Sequence, residues 1–213
     1  VPRVAQPVLT ARRLRTAAAA LSAADPRLAA IIEQVGPCTL RPEREGSHFD
    51  AIVRSIVYQQ LSGAAAATIH ARVLAQCGAG GRLTADRLAT IDPAALRAAG
   101  LSTAKSAAVQ DLARHVVDGR LPVEALDEMP DDEVIASLVQ VRGIGPWTAQ
   151  MFLMFRLGRP DVLPVLDLGV RKGAQRIHRL RTLPDADRLE RLARPWQPWR
   201  SVASWYCWRA LEL

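Results

Sequence analysis

The chain has 213 residues, enough for one substantial core or for two lobes that share one. Hydrophobic residues make up 49% and charged residues 23%, the balance of a folded soluble protein. The longest uncharged run, 55–71, holds Gln59, Gln60, Ser62, Gly63 and His70 and is too polar to span a membrane. Lys plus Arg number 28 against 21 for Asp plus Glu, a net charge of +7 that favours an anionic partner such as nucleic acid, although a solvated basic surface has the same balance.

The predicted elements are helices throughout. Residues 10–23 are Ala- and Leu-rich with Arg on one side. Asp25-Pro26 is an N-cap followed by a first-turn proline, so 26–35 reads as a second helix ending at Gly36, and 37–46 as a loop. From Ser47, Phe49, Ile52, Val53, Ile56 and Val57 recur every three or four residues and mark one buried face. Tyr58-Gln59-Gln60-Leu61-Ser62 interrupts this pattern, and a helix over 64–76 follows. The stretch 77–82 is Gly-rich and loose. Short helices are expected at 84–90 and 93–99, a longer one at 103–117, and a turn at 122–127. An amphipathic run over 131–140 leads to Gly143-Ile144-Gly145-Pro146, and an almost uncharged run from Pro146 to Phe155 leads away from it, in an apolar helix expected to reach about 157. After an extended, proline-containing segment, helices are expected at 167–178 and 185–194, with a last one ending near Ala210. No stretch alternates at strand spacing, so the fold class is all-α.

Three cysteines, Cys38, Cys77 and Cys207, are far apart, and four histidines are scattered, which argues against zinc, an iron–sulfur cluster or a disulfide framework. A reducing, cytoplasmic setting is the expectation, and the first residues show no signal-peptide pattern.

Three stretches carry candidate chemistry. In the first, Gly143 can take a positive φ after a helix end, Gly145 leaves room for a partner to approach, and Pro146 suits the first position of a new helix. Free backbone N–H groups there match one phosphate, though a plain helical turn has the same residues. In the second, the adjacent Gln59 and Gln60 at a helix junction suit probing base edges or filling a gap in a duplex; they equally suit a polar surface turn. In the third, Asp167 follows an apolar run at a helix start, as a reactive carboxylate or as a helix cap.

Together, and in this order, Ile56-Val57-Tyr58-Gln59-Gln60-Leu61-Ser62, Val141-Arg142-Gly143-Ile144-Gly145-Pro146-Trp147-Thr148-Ala149, Leu163-Pro164-x-x-Asp167 and Pro198-Trp199-Arg200-Ser201-Val202-Ala203-Ser204-Trp205-Tyr206 closely resemble the helix–hairpin–helix DNA glycosylases of the AlkA (3-methyladenine DNA glycosylase II) type. The resemblance covers roughly residues 10–211.

It implies a bilobal helical fold with a cleft between lobes: a central domain over 47–159, containing the hairpin at about 131–157, and a second lobe from 1–46 plus 160–213 that carries the catalytic aspartate. Only 46 residues precede Ser47, so the mixed α/β domain that many bacterial relatives carry is not expected here. By position, Asp167 matches the catalytic residue, and Trp147, Trp208 and Tyr58 the base pocket. Gln60 falls at the DNA wedge, with Tyr58 or Leu61 as the alternative and Gln59 and Leu61 as further DNA-binding residues, and Gly143, Gly145 and Thr148 fall at the phosphate grip. The carbonyls of Val139, Val141 and Ile144 fall where such hairpins hold a structural Na⁺ or K⁺.

The implied activity is removal of alkylated purines from double-stranded DNA by base flipping, by a monomer acting at the nucleoid without a catalytic cofactor and without a membrane partner. Position 147, a Schiff-base lysine in the bifunctional members, is Trp here, so no strand cleavage is expected. The tail has only Cys207 where an iron–sulfur cluster needs four cysteines. Alternatives are a glycosylase for deaminated or oxidised bases, and a non-catalytic hairpin module that binds damaged or abasic DNA.

Overall fold

The structure, a computed structural model, describes residues 6–77 and 82–213. The expectations for the N-terminal 1–5 and for the Gly-rich 78–81 lie outside the described residues. Those described residues hold twelve α-helices and no β-strand, and the chain divides into two compact units. One is Arg44–Phe152 with Gln6; the other is Pro7–Glu43 with Leu153–Leu213. Residues 153–159, which the sequence groups with the hairpin domain, therefore belong to the second unit.

The first unit is built on α3 (His48–Tyr58), where Ser47 and Asp50 form a reciprocal capping box. The face predicted from Phe49, Ile52, Val53, Ile56 and Val57 is buried. It packs against α4 (Gly63–Cys77), α7 (Thr103–Val117) and α9 (Pro146–Phe152). Two short helices, α5 (Ala85–Thr90) and α6 (Pro93–Ala98), lie on α7, and α8 (Asp131–Leu138) lies on α9. Asp92 caps α6 by accepting from Ala94 N at 2.8 Å, as the Asp-Pro pair predicts.

The second unit joins α1 (Ala11–Ala24) and α2 (Pro26–Val35) to α10 (Leu168–His178), α11 (Ala186–Leu192) and α12 (Arg200–Ala210). Its core includes Leu14, Leu21, Leu28, Val170, Ala174, Ile177, Trp196, Val202 and Tyr206. Trp196 is fully buried, and its indole N–H donates to Asp25 Oδ2 at 2.8 Å, so this tryptophan is core. Asp25 also accepts from Arg27 N and Leu28 N, which caps α2 with its other oxygen.

The uncharged helix expected from Pro146 to about 157 is not one regular helix. It is α-helical to Phe152 and π-helical over Leu153–Leu157. The helix expected at 185–194 ends at Leu192, and a 3₁₀ turn over Arg194–Trp196 follows.

Candidate active site

In the first unit α8 ends at Leu138, and two tight turns follow: Val141 N donates to Leu138 O, and Ile144 N to Val141 O, both at 3.1 Å. Gly143 has φ +79°, a left-handed conformation, with Ala108 of α7 directly beneath it. Arg142 N donates to Asp111 Oδ2 at 2.8 Å, which pins the turn to α7. Val141 and Ile144 point inward and are buried, whereas Gly143, Gly145 and Pro146 are exposed. A Cβ at Gly145 would meet nothing within 4 Å, so a ligand has open approach to this backbone. The amides of Gly143 and Gly145 make no hydrogen bond among the described residues. Thr148 is buried and offers its hydroxyl inward rather than to solvent. Of the carbonyls of Val139, Val141 and Ile144, that of Val141 already accepts from Ile144 N.

The glutamine pair separates into two roles. Gln59 Nε2 donates to Gly143 O at 3.1 Å and to Thr148 Oγ1 at 3.4 Å, so its amide nitrogen is tied to the hairpin. Gln60 is exposed with φ +57°, a left-handed conformation that costs a side-chain-bearing residue roughly 1–2 kcal/mol. Leu61 beside it is 40% exposed. Tyr58 packs edge-on to His70 and lies under the Arg54 guanidinium at 4.9 Å. Trp147, at the start of α9, is 42% exposed. Sequence reasoning missed Lys105, whose Nζ donates to Val57 O at 2.7 Å and Gln59 O at 2.6 Å.

In the second unit Asp167 caps α10. Its Oδ1 accepts from Val170 N at 2.7 Å and from Trp208 Nε1 at 2.8 Å. Trp208 in turn stacks on Phe155 of the π turn, with ring centroids 5.8 Å apart. Glycines at 169 and 173 make this geometry possible, and neither was singled out from the sequence. A Cβ at Gly169 would lie 2.7 Å from Trp208 Cδ1, and one at Gly173 would lie 2.1 Å from Cys207 O. The Gly-x-x-x-Gly spacing, which puts both on one face of α10, is the signal that was available. The segment leading to Asp167 is fastened by a bidentate Arg200–Asp161 pair (2.8 and 2.9 Å) and by Ser201, which donates to Arg159 O and accepts from Val162 N. Leu166 and Leu168, on either side of Asp167, are 64% and 51% exposed. Burial pushes the Cys207 thiol up, helped by the charges of Asp25 and Asp167, so no thiolate stands behind the carboxylate.

No group of three His, Cys, Asp or Glu side chains suited to a metal occurs among the described residues, and no helix there is long and apolar enough to cross a membrane.

A two-glycine hairpin on one helical unit and a hydrogen-bonded carboxylate at a helix start on the other define a class, the helix–hairpin–helix proteins of base excision repair. The HhH-GPD superfamily of base excision DNA repair proteins matches residues 53–198, and the chain belongs to it. It is 30% identical over 195 residues to the alkylbase DNA glycosidase-like protein mag2 of Schizosaccharomyces pombe, covering 91% of this chain and 92% of that protein. Among solved structures it resembles S. pombe 3-methyladenine DNA glycosylase Mag1 in complex with abasic DNA, with TM-score 0.78 and 30% identity, covering 93% of this chain and 97% of that one. It also resembles the DNA-3-methyladenine glycosidase of Bacillus halodurans, with TM-score 0.80 and 35% identity, covering 91% and 88%.

Proposed function

We propose that this protein is a monofunctional DNA glycosylase that hydrolyses the N-glycosidic bond of alkylated purines, of the 3-methyladenine and 7-methylguanine type, in duplex DNA and leaves an abasic site. The observation that carries this reading is the Asp167 carboxylate, oriented by two donors on one oxygen at the start of α10.

The chemistry needs little more. Breaking a sugar–base bond builds positive charge on the sugar, and ordinary glycoside hydrolysis uses one carboxylate for that charge and a second group to protonate the leaving group. An N-alkylated purine is already cationic and leaves as a neutral base without protonation. Asp167 stabilises the oxocarbenium-like sugar, and water adds at the anomeric carbon and releases its proton to solvent. Position 147 offers an indole where lyase chemistry needs an amine, so no Schiff base forms and the strand stays intact. Exposed aromatic faces such as Trp147 suit a flat cation through stacking and cation–π attraction.

The outward amides of Gly143 and Gly145 grip a phosphate of the damaged strand, and Gln60 and Leu61 fill the gap left by the flipped base. A Na⁺ or K⁺ on the carbonyls of Val139, Val141 and Ile144 would add positive charge behind that phosphate. The protein acts as a monomer.

The test is to incubate the full chain with methylated duplex DNA and identify the free bases, with Asp167→Asn in parallel. Methylpurines released by the wild type, lost in the variant, with no nick in the strand, is the expected result. Binding of damaged DNA without base release would replace the enzyme by a recognition module, and nicking would overturn the assignment of Trp147.

A further inference from the structure

Lys105 and Gln59 are used by nothing in the reaction above, yet each makes two polar contacts with residues far away in the chain. α3 ends at Tyr58, where its last carbonyls lack helical partners. Lys105 Nζ supplies two of the missing donors, to Val57 O and Gln59 O, and its charge suits the negative end of the helix. The bond to Gln59 O fixes the peptide plane that leads into Gln60, because that plane is rigid. A left-handed Gln60 persists only where its surroundings over-determine it. The side chain of Gln59 supplies the second constraint by reaching Gly143 O in the turn of the hairpin and Thr148 Oγ1 on its second helix. Leu61 N closes the junction onto Tyr58 O at 3.3 Å.

All of these contacts have one base. α7 contributes Lys105 to the junction, Ala108 as the floor under Gly143, and Asp111 as the acceptor for Arg142 N. Lys105 is itself fixed, since its N–H donates to the capping Ser102 hydroxyl. Burial lowers its pKa, as expected of an ammonium partly withdrawn from water into this contact.

We propose that Lys105 and Gln59 are positioning residues that lock the exposed Gln60–Leu61 junction to the hairpin, so that the phosphate grip and the gap-filling residues read a distorted strand as one rigid body. The proposal rests on the functional reading above, in which the hairpin holds DNA and Gln60 and Leu61 enter it.

The experiment measures binding of the full chain to two duplexes, one undamaged and one with a tetrahydrofuran abasic analogue carrying 2-aminopurine in the opposite strand. Variants are Lys105→Met, Lys105→Arg, Gln59→Leu and the double variant Lys105→Met/Gln59→Leu, with Tm recorded for each. Lys105→Met is expected to reduce the preference for the abasic duplex by about tenfold or more and to quench the 2-aminopurine opening, with binding to the undamaged duplex retained. Lys105→Arg restores part of the preference, and the double variant is no worse than the weaker single one, because both break the same lock. If Lys105→Met does not fold, Gln59→Leu carries the same test with the lysine intact. A wild type that discriminates, with variants that discriminate equally well or lose both duplexes equally, overturns this proposal alone. A wild type with no preference for the abasic duplex overturns it together with the functional reading.

Discussion

Trp208 and Val170 donate to the same oxygen of Asp167, but only Trp208 does so with a side chain, through its indole N–H at 2.8 Å. An indole expected to line a pocket is therefore a hydrogen-bonded support for the Asp167 carboxylate. Trp208→Phe keeps the ring stacked on Phe155 and removes the donor. A hydrogen bond to a charged group is worth roughly 1.5–3 kcal/mol, so single-turnover base release should slow about 10- to 100-fold. KM should change less than kcat, which a comparison of the two constants checks.

The glycines of α10 should behave differently from each other. Gly173→Ala sets a methyl group against the main chain at Cys207, which cannot move without shifting α12. Overpacking of this kind costs about 1–3 kcal/mol, read as a fall in Tm. Gly169→Ala meets the side chains of Trp208 and Asp167 and no main chain, so stability should fall less and base release more.

His178 predicts an acid limit to stability. Burial lowers its pKa below the ordinary 6.5, with Asp25 opposing and Arg27 reinforcing the shift. The unfolded chain thus binds this proton more tightly, and protonation favours unfolding. Stability from this site is complete above 6.5 and is lost as pH falls from there toward the folded value. His178→Phe preserves a ring against Trp196 and should flatten the decline in Tm between about pH 7 and about pH 5.

Lys172, Arg176 and Arg179 are exposed at spacings of four and three along and just past α10, the helix that Asp167 caps. If they face the strand carrying the lesion, changing all three to Gln should weaken undamaged and damaged duplexes alike. The slope of log K against log salt should then flatten by about 2 to 3. An unchanged slope would mean that the stripe faces only solvent.

The helices and their ends were legible because their determinants are local. Asp25-Pro26, Asp92-Pro93 and the apolar spacing of α3 act within a few residues, and so does the turn chemistry of Gly143. Asp167 was legible as a cap and, by its company of motifs, as the carboxylate of interest. What escaped depends on contacts between residues far apart in the chain. Gln59 reaches Gly143 across 84 positions and Lys105 reaches Val57 across 48, and no periodicity announces either. From sequence, Gln59 suits either a ligand contact or a polar surface turn, and nothing local marks Lys105. Trp196 and Trp208 sit in the same aromatic run, and only their partners, Asp25 and Asp167, distinguish a core residue from one at the site.

The π-helical turn at Leu153–Leu157 makes chain length itself a determinant of the site. A π turn accommodates one residue more than an α turn needs, so removing any single residue from this stretch would let it relax to ordinary helical pitch. Each side chain on one flank of the deletion would then swing by about 100° relative to those on the other. Phe155 would leave the face of Trp208, and Leu153 O would lose the amide of Arg159, whatever residues remained. Substitutions that preserve bulk should be tolerated here, whereas a one-residue deletion should not.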